Sequence, residues 1–290
     1  MKEEGNPPLQ AKADELDRIL AELRSLVVAY SGGVDSALLA VAAHRVLGAR
    51  ALAVTADSAS LAEAQRTLAR ELAGQFGFAH RVIPTAEFDD PAYLRNDEGR
   101  CYRCKTELFR KLVPLARQGG FAHVAYGLIV DDLSDFRPGQ RAASEAGIRA
   151  PLAEAGFRKD DVRALSRALG LPTAELPASP CLSSRVPYGT AVSPEILRQV
   201  EAAEAAVAAL GFRELRVRHL GEEARVEVAV AELPRLGDAA VRAEVISAVK
   251  RAGYRRVVLD PEGYRRGRLN EPLRIRVVDA PGRWSIIPRS

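Results

Sequence analysis

Ser31-Gly-Gly-Val-Asp-Ser36 follows the apolar run Leu26-Val-Val-Ala-Tyr30 and leads into the helical pattern Val34–Leu47, which closes at Gly48. A buried strand, a glycine turn and a helix in that order aim main-chain N–H groups at a helix N-terminus, where the dipole favours an anion. Ser31, Gly32, Gly33, Asp35 and Ser36 are therefore the candidate phosphate-binding residues. The glycines let the main chain approach closely, the hydroxyls donate, and Asp35 can hold a magnesium ion between phosphates. There is no Gly-Lys-Ser/Thr loop and no Gly-x-Gly-x-x-Gly after a strand, which excludes two other nucleotide fingerprints.

Outward from this loop the pattern repeats. An amphipathic helix over Gln10–Leu23 comes first; strands at Ala51–Ala56, Ala79–Ile83 and Phe121–Tyr126 then alternate with helices at Leu61–Phe76 and Lys105–Arg117. Such alternation predicts an α/β fold with a doubly wound, Rossmann-like parallel sheet. The rhythm breaks from Gly127 to Phe157, which reads as a long functional loop containing Asp131 and Asp135. A helix over Arg158–Leu169 follows, closed by Gly170 and Pro172. The irregular stretch Pro177–Gly189 suggests a first domain over residues 10–190 and a small α+β domain over 191–280. In the latter, Ser193-Pro caps a helix running to Leu210, and Glu214–Arg218 and Ala224–Val230 alternate as two half-exposed strands. A helix over Ala239–Ala252 and a strand over Arg256–Leu259 complete it.

A length of 290 residues suits about two domains, and 47% hydrophobic with 28% charged residues is a globular composition. No apolar run approaches a membrane span and the N-terminus has no signal-peptide core, so the cytoplasm is expected and no membrane partner is. The 42 basic and 38 acidic residues leave +4, too small a surplus to predict a nucleic-acid partner.

Three cysteines are an odd number, which leaves at least one thiol outside any internal disulfide. Arg100-Cys101-Tyr-Arg-Cys104-Lys is a Cys-x-x-Cys with positive charge beside its thiols, and Arg185 follows Cys181 closely. Structural zinc needs a fourth ligand, and His44, His80, His123 and His219 stand at no finger spacing. A redox pair with a lone third thiol, and an iron–sulfur cluster, are the other readings.

Ser31–Ser36 resembles the signature of the PP-loop ATP pyrophosphatases, which cleave ATP between the α- and β-phosphates and adenylate an oxygen. The resemblance implies ATP and magnesium, and places Asp57, Ser58 and Gly127 at the nucleotide. Pro180-Cys-Leu-Ser-Ser-Arg-Val-Pro-Tyr-Gly-Thr190, Asp135-Phe-Arg-Pro-Gly139, Arg216-Val-Arg218, Ala224-Arg-Val-Glu227 and Leu259-Asp-Pro-Glu-Gly-Tyr-Arg-Arg-Gly267 are together similar to the LarE family. That resemblance implies ATP-dependent sulfur transfer to pyridinium-3,5-biscarboxylic acid mononucleotide, on the way to the nickel-pincer cofactor of lactate racemase. It makes Cys181 the sulfur-handling residue. It also implies that Cys101 and Cys104 join Cys181 in holding a four-iron four-sulfur cluster, whose open iron takes a hydrosulfide from sulfide or another sulfur donor. Asp35 joins the three cysteines as a catalytic residue. Ser184, Arg185, Arg216, Arg218, Glu227, Asp260 and Arg265 become the substrate-binding candidates, with Asp131 or Asp135 near magnesium or the ribose. A homo-oligomer, a hexamer, is expected, with Ala202–Leu210 as a candidate apolar face. On composition alone Arg216 and Arg218 would read as a solvated strand face. The competing functions are a PP-loop tRNA-thiolating enzyme, using Arg251, Arg255, Arg256, Arg265, Arg266 and Arg268 as a basic patch, and a nucleotide-binding sensor that does not turn over.

Overall fold

All four residues of β1 (Leu26–Ala29) are buried, so this strand has no solvated face and helices must cover both sides of its sheet. The computed structural model describes residues 8–133, 138–177 and 180–265, with the backbone of 276–277 and 285–286. The chain divides into two units, the described residues of 8–93 with 98–177 and those of 94–97 with 180 onward.

In the first unit, α1 (Leu9–Leu23), β1, α2 (Val34–Leu47), β2 (Ala51–Asp57), α3 (Glu63–Phe76), β3 (His80–Pro84) and the single turn α4 (Pro91–Leu94), whose last residue belongs to the second unit, precede α5 (Arg100–Gln118) and β4 (His123–Tyr126). The four strands are parallel in the order β3-β2-β1-β4. Leu26 and Val28 pack with Leu16, Leu20, Leu38, Leu39 and Val162, whereas Val27 and Ala29 pack with Val54, Phe109, Leu112 and Val124. This is the period-two alternation expected of a strand sandwiched between helix layers. Because β2 and β3 lie on one side of β1 and β4 on the other, the winding reverses between β1 and β4, where open α/β sheets bind ligands at their carboxyl edge.

Two expectations change. α5 begins at Arg100 rather than Lys105, which puts Cys101 and Cys104 on its first turns, one turn apart. The stretch from Gly127 to Phe157 is not one long loop: it holds α6 (Val130–Leu133), α7 (Pro138–Glu145) and α8 (Pro151–Glu154) before α9 (Lys159–Ala168). These pieces are too short to show a helical period, and Pro138 and Pro151 open two of them. Asp135 lies outside the described residues.

The second unit comprises α10 (Pro194–Ala209), β5 (Leu215–Leu220), β6 (Glu223–Val228), α11 (Ala239–Arg251) and β7 (Arg256–Leu259). β5 and β6 are antiparallel, β6 and β7 parallel. Ser193 caps α10 by accepting from the Ile196 amide at 3.3 Å. Ala203, Val207, Val217, Ala224, Val226, Val245 and Val249 form its core, so the apolar face of α10 is consumed inside the unit. β5 and β6 are not half-exposed. Every residue of both is buried except the intermediate Leu220 and Glu223, so the charged face as well as the apolar one is withdrawn from water.

This unit also takes in residues 94–97 and 180–190, so that it begins again eleven residues earlier than the boundary expected from sequence. Buried Asn96 explains why: its Nδ2 donates to the carbonyls of Val186 (3.3 Å), Pro187 (2.8 Å) and Thr190 (2.8 Å), and its own φ is +55°. Asn96→Ala strips these carbonyls of their donor and keeps the left-handed backbone. Chemical denaturation should register a loss of about 2–4 kcal/mol; an unchanged midpoint would show that the loop is held by other means.

Candidate functional site

In the first unit the turn between β1 and α2 is closed upon itself. Ser36 Oγ donates to Gly33 O (3.0 Å) and accepts from the Ser31 amide (3.3 Å), with Ser31 Oγ 3.3 Å away. Gly33 caps α2 without a side-chain acceptor, which leaves the first-turn amides of a buried helix for a ligand. Gly32 has φ +78°, and a Cβ there would stand 3.1 Å from Gln65 O. Gly127, just past β4, lies against the same turn: a Cβ on it would come within 2.9 Å of Ser36 N and 3.0 Å of Asp35 C. The role of Gly127 is thus to let the switch point close against the loop.

Asp35 is not free. Lys159 Nζ, at the start of α9, donates to both its oxygens at 2.9 and 2.8 Å, and both side chains remain about a quarter exposed. Asp131 accepts from the Lys159 amide (2.6 Å) and from Arg158 Nη1 (3.1 Å), so it fixes the start of the helix that presents this lysine. Buried Lys12 pairs with Asp161 at 2.6 Å and ties α1 to α9. Asp57 and Ser58 stand at the end of β2; Asp57 accepts from Arg66 at 2.7 Å, and Ser58 Oγ donates to buried Glu87.

In the second unit the turn containing Cys181, Ser184 and Arg185 is strapped to α10 and β5. Arg185, 3% exposed, makes a two-pronged pair with Glu204 (2.9 and 3.0 Å), and its Nη1 donates to the carbonyls of Pro180 (2.6 Å) and Cys181 (3.2 Å) and to Ser184 Oγ (3.1 Å). Glu204 also accepts from the Val217 amide of β5 at 2.9 Å. Arg218 donates to Ser184 O (3.0 Å) and, through Nε and Nη2, to Glu227 (3.0 and 2.8 Å). Arg216 lies over the Tyr264 ring at 4.8 Å. Burial first, and the neighbouring Arg185 charge second, pull its pKa down from the ordinary arginine value. Arg216 and Arg218 are 6% and 9% exposed. Guanidiniums gathered in this way, with Asp260 buried at the end of β7, suit a compact polyanion.

Over 91% of its length the chain is 37% identical to the pyridinium-3,5-bisthiocarboxylic acid mononucleotide synthase of Lactiplantibacillus plantarum, covering 96% of that protein. The chain belongs to the LarE family. An uncharacterised protein of Synechocystis is 42% identical over 91% of this chain and 99% of its own length. The B subunit of the glutamine-hydrolysing GMP synthase of Archaeoglobus fulgidus is 27% identical over 56% of the chain and 54% of that subunit. No protein-family model matches. The parallel sheet and its loop give this LarE-family chain the fold of the PP-loop superfamily, to which the GMP synthases belong.

The site residues expected from sequence fall into two groups. Ser31, Gly32, Gly33, Asp35, Ser36 and Gly127 converge at the switch point, with Asp57 and Ser58 on the adjoining strand. Cys181, Ser184, Arg185, Arg216, Arg218 and Glu227 converge in the second unit. Arg265 is exposed and paired with Glu262. None of the three cysteines is in a disulfide; Cys101 is exposed, and Cys104 and Cys181 are partly so. Among the described residues no three His, Cys, Asp or Glu side chains gather closely enough to hold a metal ion, and neither unit alone contains the three thiols. Of the arginines read as a basic patch, Arg255 pairs with Glu222 (2.9 Å) and Arg256 with Glu223 (3.4 Å); Arg266 and Arg268 lie outside the described residues. No described helix is long and apolar enough to cross a membrane. Lys159 and Glu204 carry no motif in sequence and were not anticipated. Each sits on a helix far along the chain from its partner, Lys159 at 124 positions from Asp35 and Glu204 at 19 from Arg185.

Two stability measurements check these placements. Gly127→Ala forces a methyl against the loop backbone and should cost about 1–3 kcal/mol in thermal unfolding; a wild-type melting temperature would mean that the close approach is not enforced. Glu204→Ala leaves a buried guanidinium without its carboxylate, an expected loss of about 3–5 kcal/mol. In an Arg185→Met background the same change should cost much less, and equal costs in the two backgrounds would show the pair to be uncoupled.

Proposed function

We propose that the chain is an ATP-dependent sulfurtransferase that converts a carboxylate of pyridinium-3,5-biscarboxylic acid mononucleotide into a thiocarboxylate. The observation that carries this reading is the Cys181 turn, pinned by Arg185 and Arg218 beside a buried, cationic sheet face. A sulfur-bearing residue held against a polyanion site is what such a reaction needs, and the Lactiplantibacillus plantarum relative is named for the corresponding product.

The first unit supplies the nucleotide site. The loop amides and the hydroxyls of Ser31 and Ser36 take the phosphates, and the carboxyl end of β2 at Asp57 and Ser58 receives the nucleoside. Asp35 offers the oxygen donors that magnesium prefers, and a bound magnesium would neutralise the departing pyrophosphate. Lys159, already at Asp35, is placed to turn its ammonium to the same charge. In the first step a carboxylate oxygen of the acceptor attacks the α-phosphorus; the bond to the β-phosphate oxygen breaks and its electron pair leaves with pyrophosphate. A sulfur nucleophile then adds to the acyl carbon, the carbon–oxygen bond to AMP breaks, and AMP departs with that oxygen.

Arg216 and Arg218 hold the acceptor's anionic groups, and Arg185 holds the backbone of Cys181. Three cysteines outside any disulfide fit an iron–sulfur cluster in kind: Cys101, Cys104 and Cys181 would hold it, and a four-iron cluster so bound would supply an iron without protein thiolate, open to hydrosulfide from a sulfur donor. Cys181 is then a ligand and keeps its own sulfur.

With ATP, magnesium, sulfide and the acceptor, AMP and pyrophosphate should form one for one. Lys159→Met and Asp35→Asn should each slow this by about 100-fold or more; pyrophosphate release indifferent to the acceptor would overturn the reading. Protein purified without oxygen should be brown, lose its broad visible absorbance in Cys101→Ala, Cys104→Ala or Cys181→Ala, and show Cys181 at unchanged mass after many turnovers. Loss of hydrogen sulfide from Cys181 would instead show that its own sulfur is given up.

A further inference from the structure

Among the described residues, one charged group on the cationic face has no carboxylate partner. Arg225 lies in the middle of β6, 4% exposed, directly opposite Arg218 in the antiparallel register. Strand alternation puts it on the face that also carries Arg216, Arg218 and Glu227. Arg218 has Glu227 and the Ser184 carbonyl, and Arg185 has Glu204. Among the described residues no carboxylate pairs with Arg225, and its buried Nη2 finds no hydrogen-bond partner. Two like charges directly across a β-ladder repel, and a guanidinium cannot relieve its burial by giving up a proton. An unpaired buried cation is among the costliest features a fold can keep. The local ledger of charge points the same way: Arg185, Arg216, Arg218 and Arg225 stand against the carboxylates of Glu204, Glu227 and Asp260.

We infer that Arg225 is an anion-binding residue that takes the phosphate monoester of the acceptor, in company with Arg216 and Arg218. The inference rests on the mononucleotide acceptor proposed above. A phosphate monoester brings close to two negative charges and three acceptor oxygens, more than Arg218, already engaged by Glu227, can satisfy. The three guanidiniums are covered to a similar degree, so the movement that admits the acceptor to two of them admits it to the third. With the phosphate held at Arg225, the acceptor's ring carboxylates are left for the remaining cations.

Arg225→Met, of similar volume and without charge, separates the possibilities in the full-length protein. The unliganded variant should melt above wild type, and inorganic phosphate should raise the melting temperature of wild type but not of the variant. By calorimetry the variant should bind the mononucleotide about 10- to 100-fold more weakly, while binding of the dephosphorylated pyridinium nucleoside changes less than about threefold. Arg225→Lys, which keeps the charge without the fork, should fall between the two. A variant that melts lower or fails to fold, or that weakens both ligands equally, overturns the inference. If wild type binds the mononucleotide and Arg225→Met binds it as well, the inference fails and the acceptor stands. If wild type binds neither pyridinium ligand yet phosphate stabilises it through Arg225, the anion site stands and the acceptor fails.

Discussion

Burial of arginine organises the second unit. Guanidiniums seldom leave water, and do so at a cost that carboxylates and carbonyls must offset. Here Glu204 and Glu227 do that work, and in doing so fix the chain. Arg185 cannot pair with Glu204 without drawing the carbonyls of Pro180 and Cys181 to its free nitrogen, and Arg218 cannot reach Glu227 without also meeting Ser184. The position of the sulfur-bearing turn is therefore a consequence of how the charges are neutralised. The same electrostatics leave Arg225, among the described residues, without a carboxylate of its own.

The first unit works by a different constraint, which is steric and topological. A sheet wound outward in both directions from β1 leaves a gap at the carboxyl ends of β1 and β4. The chain fills that gap with a turn whose two hydroxyls bond to its own backbone, ahead of a helix start with no side-chain cap. Gly127 permits the approach, and Lys159 brings an ammonium to the one carboxylate of the turn. Neither contact belongs to the hydrophobic core; both fix the geometry of the turn.

Much of the first unit was legible in the sequence because its signals are local. The run Leu26–Tyr30, the glycine turn and the period of Val34–Leu47 place strand, loop and helix without reference to anything distant, and the helix bounds agree at both ends. Arg256–Leu259 was equally plain. Failure came where tertiary contacts override a local pattern. The alternation in β5 and β6 is that of a strand with a wet face, yet burial and ion pairing keep that face dry. Lys159 and Glu204 acquire meaning only from partners supplied by other elements, and α5 starts before Lys105 because the charged residues around Cys101 and Cys104 hide its first turns from an apolar-period reading. The motif residues were thus identified by type and spacing, whereas the groups that hold them in place became visible only in the fold.

The central claim is that an acceptor carboxylate oxygen attacks ATP before sulfur arrives. Isotope tracing tests it most directly: acceptor labelled with oxygen-18 in its carboxylates, turned over with unlabelled ATP, and the nucleotide product analysed by mass spectrometry. The account predicts AMP carrying one heavy oxygen for each thiocarboxylate formed. Unlabelled AMP, or ADP in its place, would contradict it.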